Sequence, residues 1–167
     1  MPPTAPKATR AFLALGSNIG DKAASLRAAV KAIAALPGTT VIATSSVYRT
    51  PPWGKTDQDW FANAVIAVKT VLEPVALLEA CLAIEIQLGR IRRERWGPRV
   101  IDIAVLIHGE PHMTSERLTL PHPAIAERAF VLIPLQEIAP DLVIAGRAIG
   151  AVIAGLDSAG IEPMDTL

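Results

Sequence analysis

Five arginines and no lysine lie within one ten-residue segment of a chain whose formal net charge is zero. They are Arg90, Arg92, Arg93, Arg95 and Arg99. Arginine keeps its charge and presents a planar fork of donors that matches phosphate oxygens. Clustered like charges repel one another, so an anionic ligand such as a polyphosphate would explain the segment, and Trp96 suits stacking on a base or on an arginine. The alternative is a solvated loop whose arginines pair with Glu85 and Glu94.

A single carboxylate interrupts the apolar run that follows, residues 100–107. If this run is a strand, side chains alternate between its faces. One face then holds Asp102, Ala104 and Leu106, and the other holds Ile101, Ile103, Val105 and Ile107. An ionised aspartate is costly there unless it is paired or bound to a metal. Asp102 is therefore a Mg²⁺ ligand or half of a structural ion pair, and a triphosphate on the arginines would favour Mg²⁺, which binds one or two carboxylates plus phosphates.

Aromatic residues are rare in this chain, and four of the seven lie within residues 48–61. They are Tyr48, Trp53, Trp60 and Phe61, and Asn63 follows. An aromatic platform beside an amide suits a flat heterocycle that carries donors and acceptors. The alternative is an ordinary loop that covers the core. Phe130 either supplies the opposite face of a sandwich or belongs to the core.

Other polar positions are weaker candidates. His122 lies in a Pro-His-Pro turn, as a donor to phosphate or as a structural cap. Gly109 and Pro111 break the helix that a zinc pair at His108 and His112 would need. The glycine-containing segment 16–20 lacks a phosphate-loop lysine, and we interpret it as a strand-to-helix turn that borders the site. Cys81 lies among apolar residues and is expected to be a buried core residue.

The elements that must position these groups follow from periodicity and from turn residues. Strands are predicted over 11–15, 41–48, 60–70 and 100–107. One helix is predicted over 22–36, capped by Asp21, and another over 74–88, begun by Pro74 and ended by Gly89. The order β-α-β-β-α-β predicts an α+β, ferredoxin-like core. Prolines divide the remainder into a C-terminal appendix of short helices, the last near 149–156.

Composition limits the possible classes of protein. The length of 167 residues fits one domain, which we place over residues 9–167 after a disordered tail of residues 1–8. Hydrophobic residues make up 51% of the chain, which excludes a disordered protein. The 16 basic and 16 acidic residues balance, so no global charge steers the chain to nucleic acid or to a membrane. With one cysteine and no apolar run of about 20 residues, we expect a cytoplasmic protein.

The motifs together resemble the 6-hydroxymethyl-7,8-dihydropterin pyrophosphokinase family of folate biosynthesis. The resemblance extends from Leu13 to about Asp141. It is carried by Leu15-Gly16-Ser17-Asn18, Ser46-Val47-Tyr48-Arg49-Thr50-Pro51-Pro52, Asn63, Gly89-Arg90, Arg95-Trp96-Gly97-Pro98-Arg99, Leu120-Pro121-His122-Pro123, Arg128-Ala129-Phe130 and Pro134-Leu135. The family fold is a ferredoxin-like α+β domain, as the element order predicts.

The resemblance implies that a pyrophosphoryl group moves from ATP to the hydroxymethyl oxygen of the pterin and that AMP leaves. It implies two Mg²⁺ ions, with Asp102 as a ligand and with Arg92, Arg99 and Asp102 serving the chemistry. The implied pterin residues are Thr50, Pro51, Trp53, Phe61, Asn63 and Phe130. The implied ATP residues are Glu85, Arg90, Arg92, Trp96, Arg99, Thr119, His122 and Arg128. We expect a monomer without nucleic-acid or membrane partners.

The chain departs from the family pattern at one position. The family carries Asp-x-Asp after the Gly-Pro-Arg turn, whereas this chain has Asp102-Ile103-Ala104. The two positions lie about 7 Å apart on one strand face, which suits two metals only when both are acidic. We therefore expect impaired chemistry. The alternatives are a non-catalytic regulator that binds ATP or pterin, supported by Ala104, and an RNA-binding module, opposed by the net neutrality and by the absence of the RNP1 pattern.

Overall fold

The computed structural model describes residues 7–52, 58–89, 100–109, 113–115 and 117–167. Most of the predicted disordered tail, residues 1–6, lies outside the described residues. So do Trp53 and the whole arginine segment 90–99.

The described chain forms a mixed α/β fold with one large antiparallel sheet. Its strands are β1 (Thr9–Ser17), β2 (Thr39–Thr44), β3 (Ser46–Thr50), β4 (Phe61–Thr70), β5 (Asp102–His108) and β10 (Glu162–Thr166). The sheet order is β10-β3-β4-β1-β5, and β2 also pairs with β4. The helices are α1 (Lys22–Ala34), α2 (Pro74–Gln87), α3 (Ala129–Ile138) and α4 (Ile149–Ala154). Two small hairpins join β6 (Met113–Thr114) to β7 (Thr119–Leu120) and β8 (Val143–Ile144) to β9 (Arg147–Ala148).

Asp21 and Pro74, predicted to begin the first two helices, and Gly89, predicted to end the second, do so in the structure. The Asp21 side chain accepts a 3.1 Å hydrogen bond from the Ala24 backbone nitrogen, so it caps α1. Pro74 occupies the first turn of α2, where its missing N–H costs nothing. Gly89 follows α2 with a φ of 97°, a left-handed conformation that terminates a helix.

The single strand predicted over 41–48 is two strands, separated at Ser45. The Ser45 hydroxyl accepts a hydrogen bond from the Val65 nitrogen and donates one to the Ser46 carbonyl. The Val65 nitrogen thus bonds to a side-chain oxygen instead of a backbone carbonyl of the neighbouring strand. The strand is interrupted there, and both halves still pair with β4.

Helices cover both faces of the sheet, so two apolar clusters form. One cluster packs α1 and α2 on the first face, with Leu13, Leu26, Ile66 and Leu77 at its centre. The other packs α3 and α4 on the second face, around Phe12, Val65, Leu132, Leu135 and Ile149. This double coverage explains why β1 and β4 are nearly continuous apolar runs.

The predicted alternation along β5 is correct as far as Leu106 and wrong at Ile107. Ile101, Ile103 and Val105 belong to the first cluster, whereas Leu106 and Ile107 both pack with the second. The register explains this, because Leu13 pairs with Val105 whereas Phe12 pairs with Ile107. One extra residue at this β-bulge turns Ile107 to the face opposite the predicted one.

The C-terminal segment is more than the predicted appendix of short helices. The last predicted helix is α4, but β10 returns to the main sheet and pairs with β3. The Arg27 guanidinium fixes β10 by bonds to the Thr166 carbonyl at 2.7 Å and to the Asp165 carboxylate at 2.9 Å. Among the described residues, no helix combines the length and the apolarity needed to cross a membrane.

Candidate active site

A pocket of about 110 Å³ lies between the second face of the sheet and the first turn of α3. Its lining includes six of the predicted site residues, namely Phe61, Asn63, Asp102, His122, Arg128 and Phe130. Gly16 and Ala104 also line it. Gly16, predicted to lie in the turn after the first strand, instead belongs to β1, whose last residue is Ser17. Residues that are up to 117 positions apart in the sequence, Ala14 and Val131, therefore share one concave surface.

Strand register arranges the polar residues of the pocket floor in a row. Gly16 in β1 is the direct partner of Asn63 in β4 and of Asp102 in β5. Directly paired residues share a face, and neighbouring strands lie about 4.8 Å apart. An amide and a carboxylate therefore lie on opposite sides of a glycine, roughly 10 Å apart along the floor.

The Asn63 amide is oriented by Thr50. Asn63 Nδ2 donates a 2.6 Å hydrogen bond to Thr50 Oγ1, and Thr50 is buried. Thr50 thus acts behind the pocket surface rather than lining it. Pro51, the next predicted residue, is exposed and lies outside the pocket lining, near Gly160.

Two phenyl rings line the pocket from different layers. Phe61 begins β4, and Phe130 lies in the first turn of α3. The guanidinium carbon of Arg128, the residue that precedes α3, lies 5.9 Å from the Phe130 ring centroid. An aromatic lining with an amide, a carboxylate and a cation at its edge is suited to a flat polar ligand.

Among the described aromatic residues of the predicted platform, Tyr48, Trp60 and Phe61, only Phe61 lines the pocket. Trp60 lies beside two cations, with Lys22 Nζ 4.0 Å and the Arg49 guanidinium carbon 4.6 Å from its ring centroid. Tyr48 bonds to Glu137 in α3. Local composition could not separate these roles, because the partners come from distant parts of the chain.

His122 is fixed against β5 by backbone and side-chain bonds. Its backbone nitrogen donates to the Leu106 carbonyl at 2.9 Å, and its Nδ1 accepts from the Ala124 nitrogen at 3.1 Å. A neutral imidazole with Nδ1 as acceptor carries its proton on Nε2. Burial lowers the pKa of His122, and the charge of Arg128 lowers it further, although Asp102 opposes them. The ring is therefore a neutral Nε2 donor at neutral pH.

Arg128 lies in the same environment, and its pKa is also lowered. Burial lowers the pKa of its guanidinium, and the charges of Asp102 and Glu127 raise it. The group remains a cation because the ordinary pKa of arginine is so high. Among its described lining residues, the pocket therefore holds one permanent positive charge and one carboxylate.

Thr119 lies in an adjoining pocket of about 340 Å³ along the outer edge of β5. This second pocket shares Ala104 and His122 with the first, and Ser115, Arg117 and Leu118 also line it. The two pockets therefore meet at Ala104 and His122.

Glu85 does not line either pocket. It is 1% exposed, and its Oε1 accepts a 2.8 Å hydrogen bond from the Ile103 backbone nitrogen. The carboxylate thus holds the edge of β5 between Asp102 and Ala104. Burial raises the pKa of the nearby Cys81 to about 12, with a further contribution from Glu85, and Cys81 is fully buried as predicted.

Metal-binding capacity is limited in the part of the chain that the structure describes. Within it, no three His, Cys, Asp or Glu side chains come together as a cation site. Asp102 is the one acidic residue among the described residues that line the pocket, and Ala104 pairs with Ala14 beside it. The predicted Trp53, Arg90, Arg92, Trp96 and Arg99 lie outside the described residues.

Comparisons with known proteins identify the family of the chain. Residues 12–140 match the family of 7,8-dihydro-6-hydroxymethylpterin-pyrophosphokinase. The 2-amino-4-hydroxy-6-hydroxymethyldihydropteridine pyrophosphokinase of Methylorubrum extorquens is 60% identical over 94% of this chain and 99% of its own. The protein of the same name from Pseudomonas aeruginosa is 42% identical over 92% and 95%.

Solved structures support the fold. The wild-type HPPK-DHPS of Plasmodium falciparum with pteroate matches with a TM-score of 0.72 and 16% identity. The match covers 91% of this chain but 43% of that one, so the chain spans less than half of the longer protein. Together with the family match, these relatives show that the chain is a pyrophosphokinase, a transferase that belongs to the 7,8-dihydro-6-hydroxymethylpterin-pyrophosphokinase family.

Proposed function

We propose that this chain transfers the pyrophosphoryl group of ATP to 6-hydroxymethyl-7,8-dihydropterin in folate biosynthesis and releases AMP. One observation carries the proposal. An aromatic cleft with an oriented amide opens beside Asp102, His122 and Arg128, and a second pocket adjoins it at His122. A heterocycle in the first pocket and a polyphosphate across the boundary would bring the two reactants together.

In this proposal the pterin lies between Phe61 and Phe130. Asn63 bonds the edge of the ring, and Thr50 orients Asn63. The family resemblance assigns Pro51 and Trp53 to the same substrate. The hydroxymethyl group then points along the floor toward Asp102, because the ring occupies the space above Gly16.

The nucleotide residues form the other half of the proposal. Thr119, His122 and Arg128 would bind ATP together with Arg90, Arg92, Trp96 and Arg99, and Glu85 supports β5 beneath them. His122 donates from Nε2 to a phosphate oxygen, since its Nδ1 is occupied by the Ala124 nitrogen. The arginines neutralise the charge that accumulates as AMP leaves, which is the main requirement of phosphoryl-group transfer.

Mg²⁺ fits this site in part. Asp102 would hold it together with phosphate oxygens, and the metal would supply charge neutralisation on the triphosphate. The described residues offer no second carboxylate beside Asp102, and the Ala104 methyl group cannot replace one. We therefore propose that two-metal binding is impaired. A loss comparable to that of one transition-state donor lowers the rate about 100- to 1000-fold.

The proposed architecture is a single ferredoxin-like domain over residues 9–167 that acts as a monomer. Its support is the sheet order β3-β4-β1-β5 with α1 and α2 on one face. Equilibrium sedimentation of the purified chain tests the monomer.

Product analysis tests the function. The chain is incubated with ATP, Mg²⁺ and 6-hydroxymethyl-7,8-dihydropterin, and the nucleotides are separated. We expect AMP to appear only when the pterin is present, with one pterin diphosphate formed for each AMP. Phe130→Leu should raise the pterin KM about tenfold, because a stacked ring is lost. Ile86→Ser, on the exposed side of α2, is the control and should leave KM unchanged. Formation of ADP instead of AMP would contradict the proposal.

A further inference from the structure

Gly16 is a glycine for a reason other than backbone conformation. Its φ lies outside the left-handed region in which Gly20, Gly38 and Gly89 are found. A Cβ added to Gly16 would instead lie 2.8 Å from Asn63 Oδ1, where ordinary contacts begin at 3.4 Å. An alanine therefore requires Asn63 Oδ1 to retreat by roughly 0.6 Å.

Asn63 cannot retreat without cost. Its Nδ2 donates the 2.6 Å hydrogen bond to Thr50 Oγ1, and Thr50 is 1% exposed. Rotating the amide away from a methyl group at position 16 lengthens or breaks this bond. Thr50 thus fixes the Nδ2 side of the amide, and the absence of a side chain at Gly16 leaves room for Oδ1.

The next pair along the same strands does not require this space. Ala14 pairs with Val65 and with Ala104, and its methyl group is accommodated in the pocket floor. The requirement for a glycine is therefore specific to the row that contains Asn63 and Asp102.

We infer that Gly16 is a positioning residue for the heterocycle, because it allows the Asn63 amide to lie flat against the floor with Oδ1 beside the ligand. The inference rests on the proposed function. Gly16 sets the orientation of the amide, and the amide selects the edge of the ring. A ligand bound in this way lies across Gly16, with its amide-recognised edge at β4 and its other end toward Asp102 at β5.

The test measures equilibrium binding of 6-hydroxymethylpterin and of a non-hydrolysable ATP analogue by calorimetry. Gly16→Ala should raise the pterin Kd at least about tenfold, equivalent to one lost hydrogen bond of ~1.4 kcal/mol. The Kd of the ATP analogue should not change. Gly155→Ala is the matched control, since Gly155 lies in α4's C-cap and its added Cβ meets nothing closer than 3.7 Å.

A double-mutant cycle separates the inference from simple obstruction of the pocket. In an Asn63→Ala background, Gly16→Ala should change the pterin Kd less than about twofold, because the group through which Gly16 acts is absent. An equal fold-change in both backgrounds means that the methyl group blocks the ligand directly, and it overturns the inference. An unchanged Kd in the otherwise native chain overturns it as well.

A structural readout covers the case in which Asn63→Ala binds too weakly to measure. The side-chain amide resonances of Asn63 should shift in Gly16→Ala and stay in place in Gly155→Ala. Unshifted resonances overturn the inference. Failure of the native chain itself to bind the pterin would instead refute the proposed function, so the two failures are distinguishable.

Discussion

The hydroxyl of Tyr48 in β3 donates a 2.5 Å hydrogen bond to Glu137 Oε1 in the last turn of α3. The other oxygen of the same carboxylate accepts from the Ser46 backbone nitrogen at 2.9 Å and from its hydroxyl at 3.0 Å. Glu137 and Phe130 are seven residues apart, which places them on the same side of α3. The C-terminal end of α3 is thus bonded to β3, and its N-terminal end carries Phe130, which lines the pocket.

This contact predicts the titration of Tyr48. Burial raises the pKa of Tyr48 to about 12, with further contributions from the hydrogen bond and the charge of Glu137. Because Tyr48 is the single tyrosine of the chain, the ultraviolet absorbance of the phenolate reports it alone. Glu137→Gln should move the midpoint down toward the ordinary value of 10, whereas Asp157→Asn, on an exposed turn, should not.

The same group makes stability depend on pH. Between the unfolded value of 10 and the folded value of about 12, the folded chain retains a proton that the unfolded chain releases. The free energy of unfolding should therefore fall as pH rises through this range. Tyr48→Phe should remove this part of the slope, and a slope that persists unchanged in Tyr48→Phe would refute the assignment.

His122 provides a second pH-dependent prediction. Its imidazole resonances should titrate below the ordinary pKa of 6.5 in the folded chain. Arg128→Met should raise this midpoint, because a repelling cation is removed, and Asp102→Asn should lower it. Between the lowered pKa of the folded state and the ordinary value of 6.5, the unfolded state binds the proton more readily than the folded state does. The free energy of unfolding should therefore fall as pH falls below 6.5. A midpoint at or above 6.5 would contradict the account.

Glu85 is expected to support β5 rather than to lie in a pocket. Glu85→Leu removes the acceptor and leaves the buried Ile103 nitrogen without that bond, which should cost about 1–3 kcal/mol in the free energy of unfolding. Glu85→Gln retains a carbonyl oxygen in nearly the same place and should cost less. Denaturant titration of the two variants measures the difference. If glutamine and leucine are equally destabilising, the hydrogen bond does not contribute.

The sequence predicts much of the candidate site because strand alternation and turn residues are local properties. The helix starts at Asp21 and Pro74 and the strand around Asp102 follow from neighbouring residues alone. The pterin-binding roles predicted for Phe61, Asn63 and Phe130 follow from the family resemblance, and the fold brings all three residues to one pocket.

The remaining features depend on long-range pairing that local patterns do not contain. The bulge that redirects Ile107 arises from the register between β1 and β5. The strand β10 is exposed along its whole length and has no apolar pattern, so its pairing with β3 could not be predicted. The requirement for Gly16 likewise appears only when Asn63 is placed beside it, 47 residues later.

The most direct measurement is the steady-state rate of pterin-dependent AMP formation by this chain and by its Ala104→Asp variant. We expect Ala104→Asp to raise the rate about 100- to 1000-fold, because it supplies a second carboxylate beside Asp102. The pterin Kd should remain the same in both proteins. Equal rates of AMP formation, or no pterin-dependent AMP from either protein, would contradict the account.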